Sequence, residues 1–413
     1  MAASFNKQVI MGALIGITIG VALNFAGPSF ILYSPVNYLC EIIGKGFFIN
    51  LLKMMIIPLI FTSIVVGIAN LRAHAQMDRV WKWTMVYFFT SSGLAIILGL
   101  IVVNVFKPGA GIEIGLFQDS MQQVNIQRMG FAEYVKKFIF DLFSNPVAAM
   151  ANGQILPTII FAAFVGAALV VLGDKKASTV LKFFNEFFEV IMIILGWIMR
   201  LLPVGLAALF INLFAQQDLS VLLSLAHFMI LVTGATLFHG IVVLPALLFF
   251  VTKVTPLVFF RGVQDALILA FSSSSSSATL PVTMRCVEKN LKVDKNITGF
   301  VVPLGATVNM DGTALYEAMA ALFVANMVGV ELTFIQQLVV FITAMVASIG
   351  APGIPSAGMV TMMMVLQSVG LPPEAVAILI PIDRPLDAIR TMVNVEGDCV
   401  GSMVVQKLVM NKP

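Results

Sequence analysis

Apolar residues run along this chain in blocks, and most blocks have the length of a helix that crosses a membrane. Segments at 8–26, 46–70, 81–106, 154–172, 187–213 and 222–252 are nearly free of charge and long enough to span a hydrocarbon core of roughly 30 Å. Between them, 107–153 is more polar, with GAGIEIG and QDSMQQVNIQR, and reads as an external loop with short helices. The start, MAASFNKQ, leads into the first apolar helix without a recognisable cleavage motif, so that helix is read as a retained span.

From residue 255 the pattern changes. Apolar segments are now interrupted by small and polar residues: SSSSSSATLP at 272–281, NMDGT at 309–313, IGAPGIPSAG at 349–358, and DRPLDAIRTMVNVEGD within 376–406. A serine run usually marks a flexible linker, but this one lies between LILAF and VTM, inside an oily stretch. Broken apolar segments in corresponding positions of two halves point to a transporter binding site. Pro281 precedes Asn309 by 28 residues, and Pro355 precedes Asp383 by the same 28. Each half reads as a re-entrant hairpin followed by a helix carrying polar groups, with unpaired backbone at membrane depth facing a polar cavity. Pro281 is expected to help start the returning helix of the first hairpin.

Composition agrees with this pattern. Of 413 residues, 59% are hydrophobic and 11% charged, where soluble domains carry about 25% charge. The chain is read as an all-α, multi-pass membrane protein. A net charge of +3 gives no reason to expect a nucleic-acid partner. Cys40, Cys286 and Cys399 are too few and too scattered for a disulfide framework or a metal cluster. Basic residues cluster at Arg72/Arg79/Lys82, Lys175/Lys176/Lys182, Lys253/Arg261 and Lys289/Lys292/Lys295. With a cytoplasmic amino terminus all four clusters fall inside; Lys136 and Lys137 fall near the other side.

The last polar segment carries the densest chemistry. Asp383, Asp387, Arg390, Asn394 and Asp398 fall within a sector of about 80° on one helix face, with Thr391 at its border. Each charge costs about 2.5–3.5 kcal/mol at mid-bilayer even on insertion scales, so the stripe must meet partners, water or ions. An internal salt bridge between Asp387 and Arg390 is one reading, and it leaves Asp383 and Asp398 unpaired. The other is a binding site. Arg390 is a permanently charged fork suited to a carboxylate, and Asp387 is suited to an α-amino group, which together select an acidic amino acid. Asn394 and Asp398 offer hard oxygens for a cation such as sodium.

NMDGTALYEAM adds Asn309 and Asp311, two positions apart, which would diverge on an unbroken helix. Their spacing implies that the helix unwinds there or that two ion sites flank it, and Gly312 could loosen it. Glu317 has no basic residue near it in sequence. Burial without a cation favours a neutral carboxyl, so Glu317 is either a proton carrier or a structural, hydrogen-bonded acid. Tyr87, Thr90 and Ser91 read from their residue types as packing groups of a span. His239 and Lys53 read as structural or snorkelling groups. A membrane hydrolase using the serine run is excluded, because neither a histidine (His74, His227, His239) nor a lysine falls within these motifs. A passive anion channel leaves the polar constellation without a purpose beyond a secondary leak.

SSSSATLP, NMDGTALYEA, the GAPGIPSAG tip, LDAIRTMVNVEGD and, in the second span, LLKMMIIPLIFTSIVVG closely resemble the glutamate/aspartate transporter family of dicarboxylate/amino acid:cation symporters. The resemblance covers nearly the whole chain. It implies a homotrimer with eight transmembrane helices, two re-entrant helical hairpins, inverted repeats and an elevator motion. A scaffold would comprise helices 1–2 (1–70) and 4–5 (154–215). The moving part would comprise helix 3 with the external loop (71–153), helix 6 (216–254) and a core (255–413) of hairpin 1, helix 7, hairpin 2 and helix 8.

By position, the resemblance places substrate against Ser275, Ser276 and Ser277 of the first hairpin tip and Gly353, Ile354 and Pro355 of the second. Thr313, Asp387, Arg390, Thr391 and Asn394 would complete that site. One sodium would use Gly305, Asn309, Asn394 and Asp398. A second would use Thr307, Met310, Ser348 and Ile349, mainly through backbone oxygens, and a third Tyr87, Thr90, Ser91, Asn309 and Asp311. Asp398 matches sodium-coupled members and Arg390 matches members with acidic substrates. Glu317 matches animal members in which this position is implicated in proton co-transport. One departure stands out: members commonly carry a further arginine just before the tip serines or directly after the substrate aspartate, and Ser274 and Ala388 occupy those positions here. Arg384, one turn earlier, is the nearest substitute. The implied protein is a transporter rather than an enzyme. It would take L-glutamate and L- or D-aspartate with sodium, with or without protons, through a bacterial or archaeal inner membrane. A C4-dicarboxylate or neutral-amino-acid carrier is the alternative within the same fold.

Overall fold

The computed structural model describes residues 2–70, 78–111, 140, 143–216, 219–350 and 358–410. Gly353, Ile354 and Pro355 lie outside these residues. The described chain is helical, without strands. Helix α1 (Ala2–Ala26) is followed by α2 (Tyr33–Glu41), which passes through a π-helical stretch, Ile42–Ile49, into α3 (Asn50–Asn70). The apolar pattern placed this span at 46–70, but the helix begins thirteen residues earlier. The polar Asn37 is accommodated inside it: its Nδ2 donates to the Tyr33 carbonyl at 3.0 Å, and its own carbonyl accepts from Asn212 Nδ2 at 3.2 Å.

Next come α4 (Asp78–Phe106), α5 (Pro146–Ala151), α6 (Ile155–Leu172), α7 (Asp174–Arg200) and α8 (Leu202–Gln216). The span expected at 187–213 straddles the end of one helix and the start of another. Lys176–Ile198 and Leu202–Asn212 are bent by 52°. Pro203 has no backbone N–H to continue the ladder of α7 and disfavours helical geometry just before it. α1 rests on α8 through Gly12, Gly16 and Gly20, one per turn. A Cβ at Gly12 would lie 2.3 Å from the Pro203 carbonyl oxygen, and one at Gly16 would lie 2.7 Å from that of Ala207. Such small-residue stripes let helix backbones touch where lipid removes the ordinary hydrophobic drive.

α9 (Leu219–Phe238) continues through a π-helical turn, His239–Val243, into α10 (Leu244–Thr252). Then α11 (Pro256–Ser273) and α12 (Ser276–Arg285) pack on each other across the serine run. Ser274 takes a left-handed conformation (φ 51°) and Ser275 caps α12, its Oγ accepting from Ala278 N at 3.2 Å. The returning helix therefore starts at Ser276, under a serine cap. Pro281 lies inside α12 and does not start it.

After a π-helical turn, Cys286–Asn290, come α13 (Lys295–Val308), α14 (Asp311–Met327), α15 (Phe334–Gly350), α16 (Gly358–Ser368) and α17 (Val376–Met410). α15 and α16 also pack on each other. α17 is the hub, packing on α4 and on α9 through α14.

Three helices among the described residues are long and apolar enough to cross a membrane: Tyr33–Ala69, Arg79–Phe106 and Leu223–Thr252, with the bent pair as a fourth. Large apolar side chains such as Phe25, Val171 and Trp197 are exposed, an arrangement that suits a lipid surround. The chain is a membrane protein.

Candidate functional site

α13 ends at Val308, Asn309 and Met310 adopt non-helical angles (φ/ψ −108°/79° and −112°/63°), and α14 begins at Asp311. The break expected between Asn309 and Asp311 is present. Gly312 lies just beyond it, inside the first turn of α14. Its bareness serves close approach instead, since a Cβ there would be 2.8 Å from the Arg390 carbonyl oxygen. Its N–H donates to Asn394 Oδ1 at 2.8 Å, and Asn394 Nδ2 donates to Thr313 Oγ1 at 3.2 Å. Asn394 thus ties the break in α13–α14 to the middle of α17.

One turn above, Arg390 is only 1% exposed. Its Nη2 donates to Asp383 Oδ1 at 2.8 Å and Asp387 Oδ1 at 3.0 Å. Asp383, expected to stand unpaired, is therefore a partner of Arg390. The guanidinium lies 4.0 Å over the Tyr316 ring, a cation–π contact, and its Nε and Nη1 have no hydrogen-bond partner among the described residues. Arg384 Nη1 lies 3.4 Å from Asp387 Oδ2. Gly358, at the start of α16, is beside the same fork: a Cβ there would be 3.8 Å from both Nη1 and Nη2 and 3.5 Å from Thr313 Cγ2. Thr391 is buried on the same helix. Glu317 is buried, accepting from Thr361 Oγ1 through Oε1, while Oε2 has no hydrogen-bond partner among the described residues.

Towards the other end of α17, Asp398 Oδ1 accepts from Asn309 Nδ2 at 3.3 Å. It presses on Gly305, where a Cβ would lie 2.1 Å from that oxygen; only glycine leaves room for the carboxylate. Asn309 Oδ1 accepts from Ser91 Oγ at 3.1 Å. Asp311 accepts from Ser91 at 3.3 Å and Ser92 at 2.6 Å through Oδ1, and its Oδ2 meets His239 Nε2 at 3.2 Å. Tyr87 OH donates to the Gly397 carbonyl at 3.1 Å.

Gly305, Asn309, Asp311, Asn394, Asp398, Tyr87 and Ser91 are thus brought into one buried polar chamber. Thr90 is not: it is exposed and its hydroxyl bonds the Val86 carbonyl of its own helix at 2.7 Å. Thr307 is exposed and bonds Leu304 O at 3.0 Å. Met310 is buried at the break. Ser348 bonds Met345 O at 2.8 Å and shares a small pocket with Ser92 and Val308. Ile349 follows it in α15. At the serine turn Ser275 and Ser276 are buried and Ser277 is exposed.

Several members of the site were invisible in the pattern. His239, read as structural, is fully buried and bonded to Asp311. Ser92 makes the shortest of the serine contacts to that carboxylate. Tyr316 floors the guanidinium. Glu396 is 2% exposed and faces Gly240, where a Cβ would lie 2.9 Å from Glu396 Oε2. The TSS triplet showed that polar groups enter α4, but only packing decides which hydroxyl faces inward. Lys53 pairs with Glu374 of the turn before α17, so its role is structural.

Comparison with known proteins places these motifs. Residues 5–408 match the profile of the sodium:dicarboxylate symporter family. The chain is similar to an excitatory amino acid transporter of Caenorhabditis elegans, 36% identical over 97% of this chain and 86% of the relative. It is also similar to excitatory amino acid transporter 3 of Mus musculus, at 33% over 98% and 86%. Human excitatory amino acid transporter 2 is 35% identical over 97% of this chain and 78% of its own length.

Proposed function

Because the chain belongs to the sodium:dicarboxylate symporter family, we propose that it is a secondary active symporter of acidic amino acids, coupled to sodium. The observation that carries the reading is Arg390, buried between Asp383 and Asp387 over Tyr316, with Nε and Nη1 unpartnered among the described residues. An immobilised guanidinium with open donors is a receptor for a carboxylate, and Asp387 beside it suits an ammonium. L-Glutamate and L- or D-aspartate carry both groups. Ser275, Ser276, Ser277, Thr313, Thr391, Asn394 and the 353–355 tip complete this substrate site.

Sodium is cargo in this reading. Asp398 with Asn309, Asn394 and the Gly305 backbone forms one position. Asp311 with Asn309, Ser91 and Tyr87 forms another, with Thr90 on the same helix. Thr307, Met310, Ser348 and Ile349 supply a third, through main-chain oxygens. Glu317, accepting from Thr361, is the carrier of any co-transported proton. α11–α12 and α15–α16 are the two re-entrant hairpins, within an eight-span, inverted-repeat fold that forms a homotrimer in lipid. The scaffold (1–70, 154–215) stays in place while the remainder moves as an elevator across a prokaryotic inner membrane. Packing supports this division: α1 lies on α8 and α3 on α6 and α7, whereas α17 gathers α4 and α9–α14.

Uptake of radiolabelled aspartate into liposomes with imposed gradients tests the reading. Accumulation driven by an inward sodium gradient is expected, and accumulation that persists without sodium overturns the coupling. Competition by succinate or serine stronger than by glutamate would replace the acidic-amino-acid assignment with a C4-dicarboxylate or neutral carrier. A rate that is independent of pH in both wild type and Glu317→Gln would remove the proton.

A further inference from the structure

Two solitary charges meet where the proposed scaffold and the proposed mover touch. Lys53 is the only charged residue between Lys45 and Arg72, and Glu374 is the only one between Glu331 and Asp383. Lys53 stands near the start of α3, and Glu374 in the short turn Pro373–Ala375 that leads into α17. Their side chains pair across 321 residues of chain. A charge within an apolar stretch carries a standing cost, which this partnership offsets.

Among the described residues, this is the only ion pair or side-chain hydrogen bond between the scaffold (1–70, 154–215) and the core (255–413). The other described ion pairs each lie within one part. The contact beside it is apolar: Leu59, Ile60 and Ile64 of α3 line one small cavity with Val346 of α15 and Val360 and Met364 of α16. Ser63 and Thr361 line it too, but their hydroxyls bond Ile60 O and Glu317, each within its own part. Apolar attraction is non-directional and follows area, and an unbranched Met adapts to a new neighbour. Such a surface has little preference for one register. An ion pair has a strong one, because it exists only while nitrogen and oxygen stay within about 4 Å.

We propose that Lys53–Glu374 is a latch between scaffold and mover: it favours the relative position seen in this structure over positions in which the core has shifted along α3. The inference rests on the elevator reading. The two side chains are 27% and 24% exposed. Water can therefore reach both when they part, and the long Lys53 stem can carry its ammonium outward. The latch thus opens without stranding a fully buried charge, whose cost would block the motion. A part-exposed pair weights the ratio of two positions by up to about fivefold. That is slight for the stability of the whole fold, in keeping with a structural contact, but it is enough to set how the carrier divides its time between two positions.

Distances between spin labels in proteoliposomes test this, with one label on Lys182→Cys of the scaffold and one on Lys289→Cys of the mover. Both positions are exposed, and Cys40, Cys286 and Cys399 are buried, so labelling falls on the introduced thiols. The wild type is expected to show at least two distances, whose proportions change with saturating sodium and aspartate. Lys53→Gln and Glu374→Gln should each lower the share of the distance that matches this structure, relative to the others, by up to about fivefold. Tm should move by a few degrees at most. The exchanged pair, Lys53→Glu with Glu374→Lys, should return the proportions towards wild type, which loss of a merely structural brace would not produce. Unchanged proportions in both neutral variants overturn the proposal, as does an exchanged pair displaced as far as the neutral ones. Should one neutral variant not be recovered, the other decides alone. A wild type with a single distance under every condition would instead overturn the elevator reading.

Discussion

The two ends of the polar stripe on α17 solve the same problem in opposite ways. Near Asp383 the charges close on one another: Arg390 bonds Asp383 and Asp387, and Arg384 lies 3.4 Å from Asp387. Near Asp398 the carboxylates are served by neutral donors, Asn309, Ser91 and Ser92, and by His239. Two acids stand against two guanidiniums at the first end, and three acids against one imidazole at the second, where a buried charge without a counter-charge costs several kcal/mol. In the proposed reading, one end keeps a fixed cation to recruit an anionic substrate, and the other keeps fixed anions to recruit cations. Asn394 lies between them along α17, accepting from the Gly312 N–H and donating to Thr313.

The most severe way to break this contrast is to remove the fixed cation. Arg390→Cys leaves Asp383 without the guanidinium it bonds and Asp387 with Arg384 alone, and should reduce acidic-substrate uptake by more than about 100-fold, consistent with about 3–5 kcal/mol for breaking a buried pair. Retained aspartate uptake at the wild-type rate would show that the guanidinium is not the receptor. Asp311→Asn attacks the opposite end. It should raise the sodium requirement at least about tenfold, the loss of a charge-assisted ligand worth about 1.5–3 kcal/mol, while uptake at saturating sodium remains measurable. Equal damage to sodium and substrate dependence would blur the distinction between the ends.

Gly305→Ala tests space rather than charge. With a Cβ 2.1 Å from Asp398 Oδ1, the carboxylate must move, and a severalfold loss of apparent sodium affinity is expected without loss of expression. Tyr316→Leu should have a milder effect. Withdrawing the ring 4.0 Å beneath the guanidinium removes about 1–2 kcal/mol of cation–π support, to be read as a rise in KM for aspartate with little change in sodium dependence. The smallest effect belongs to Lys53→Gln. Its pair with Glu374 is part-exposed, such pairs contribute about 0–1 kcal/mol, and a shift of a few degrees at most in Tm is expected.

Much of this was legible before any coordinates. Hydrophobic blocks announce membrane helices because lipid forbids charge and unpaired backbone alike. The 4-3-4-4 spacing of Asp383 to Asp398 announces one face because helix geometry is rigid. Even the break at Asn309–Met310 follows from two polar side chains whose spacing an intact helix would splay. The errors lie where local pattern is weakest. Hydropathy does not register that Pro203 divides 174–216 into two bent helices, nor that Tyr33–Glu41 continues into α3.

What the sequence by itself determined is which charges lie on one helix stripe, and that they must be compensated. Only the tertiary structure decided by what. His239 takes Asp311 from a distant helix, the Arg390 guanidinium is floored by Tyr316 of α14, and Glu396 meets Gly240 of the turn after α9. Periodicity is a property of one helix, whereas compensation here is a property of the contact between helices, His239 and Asp311 lying 72 residues apart in the chain.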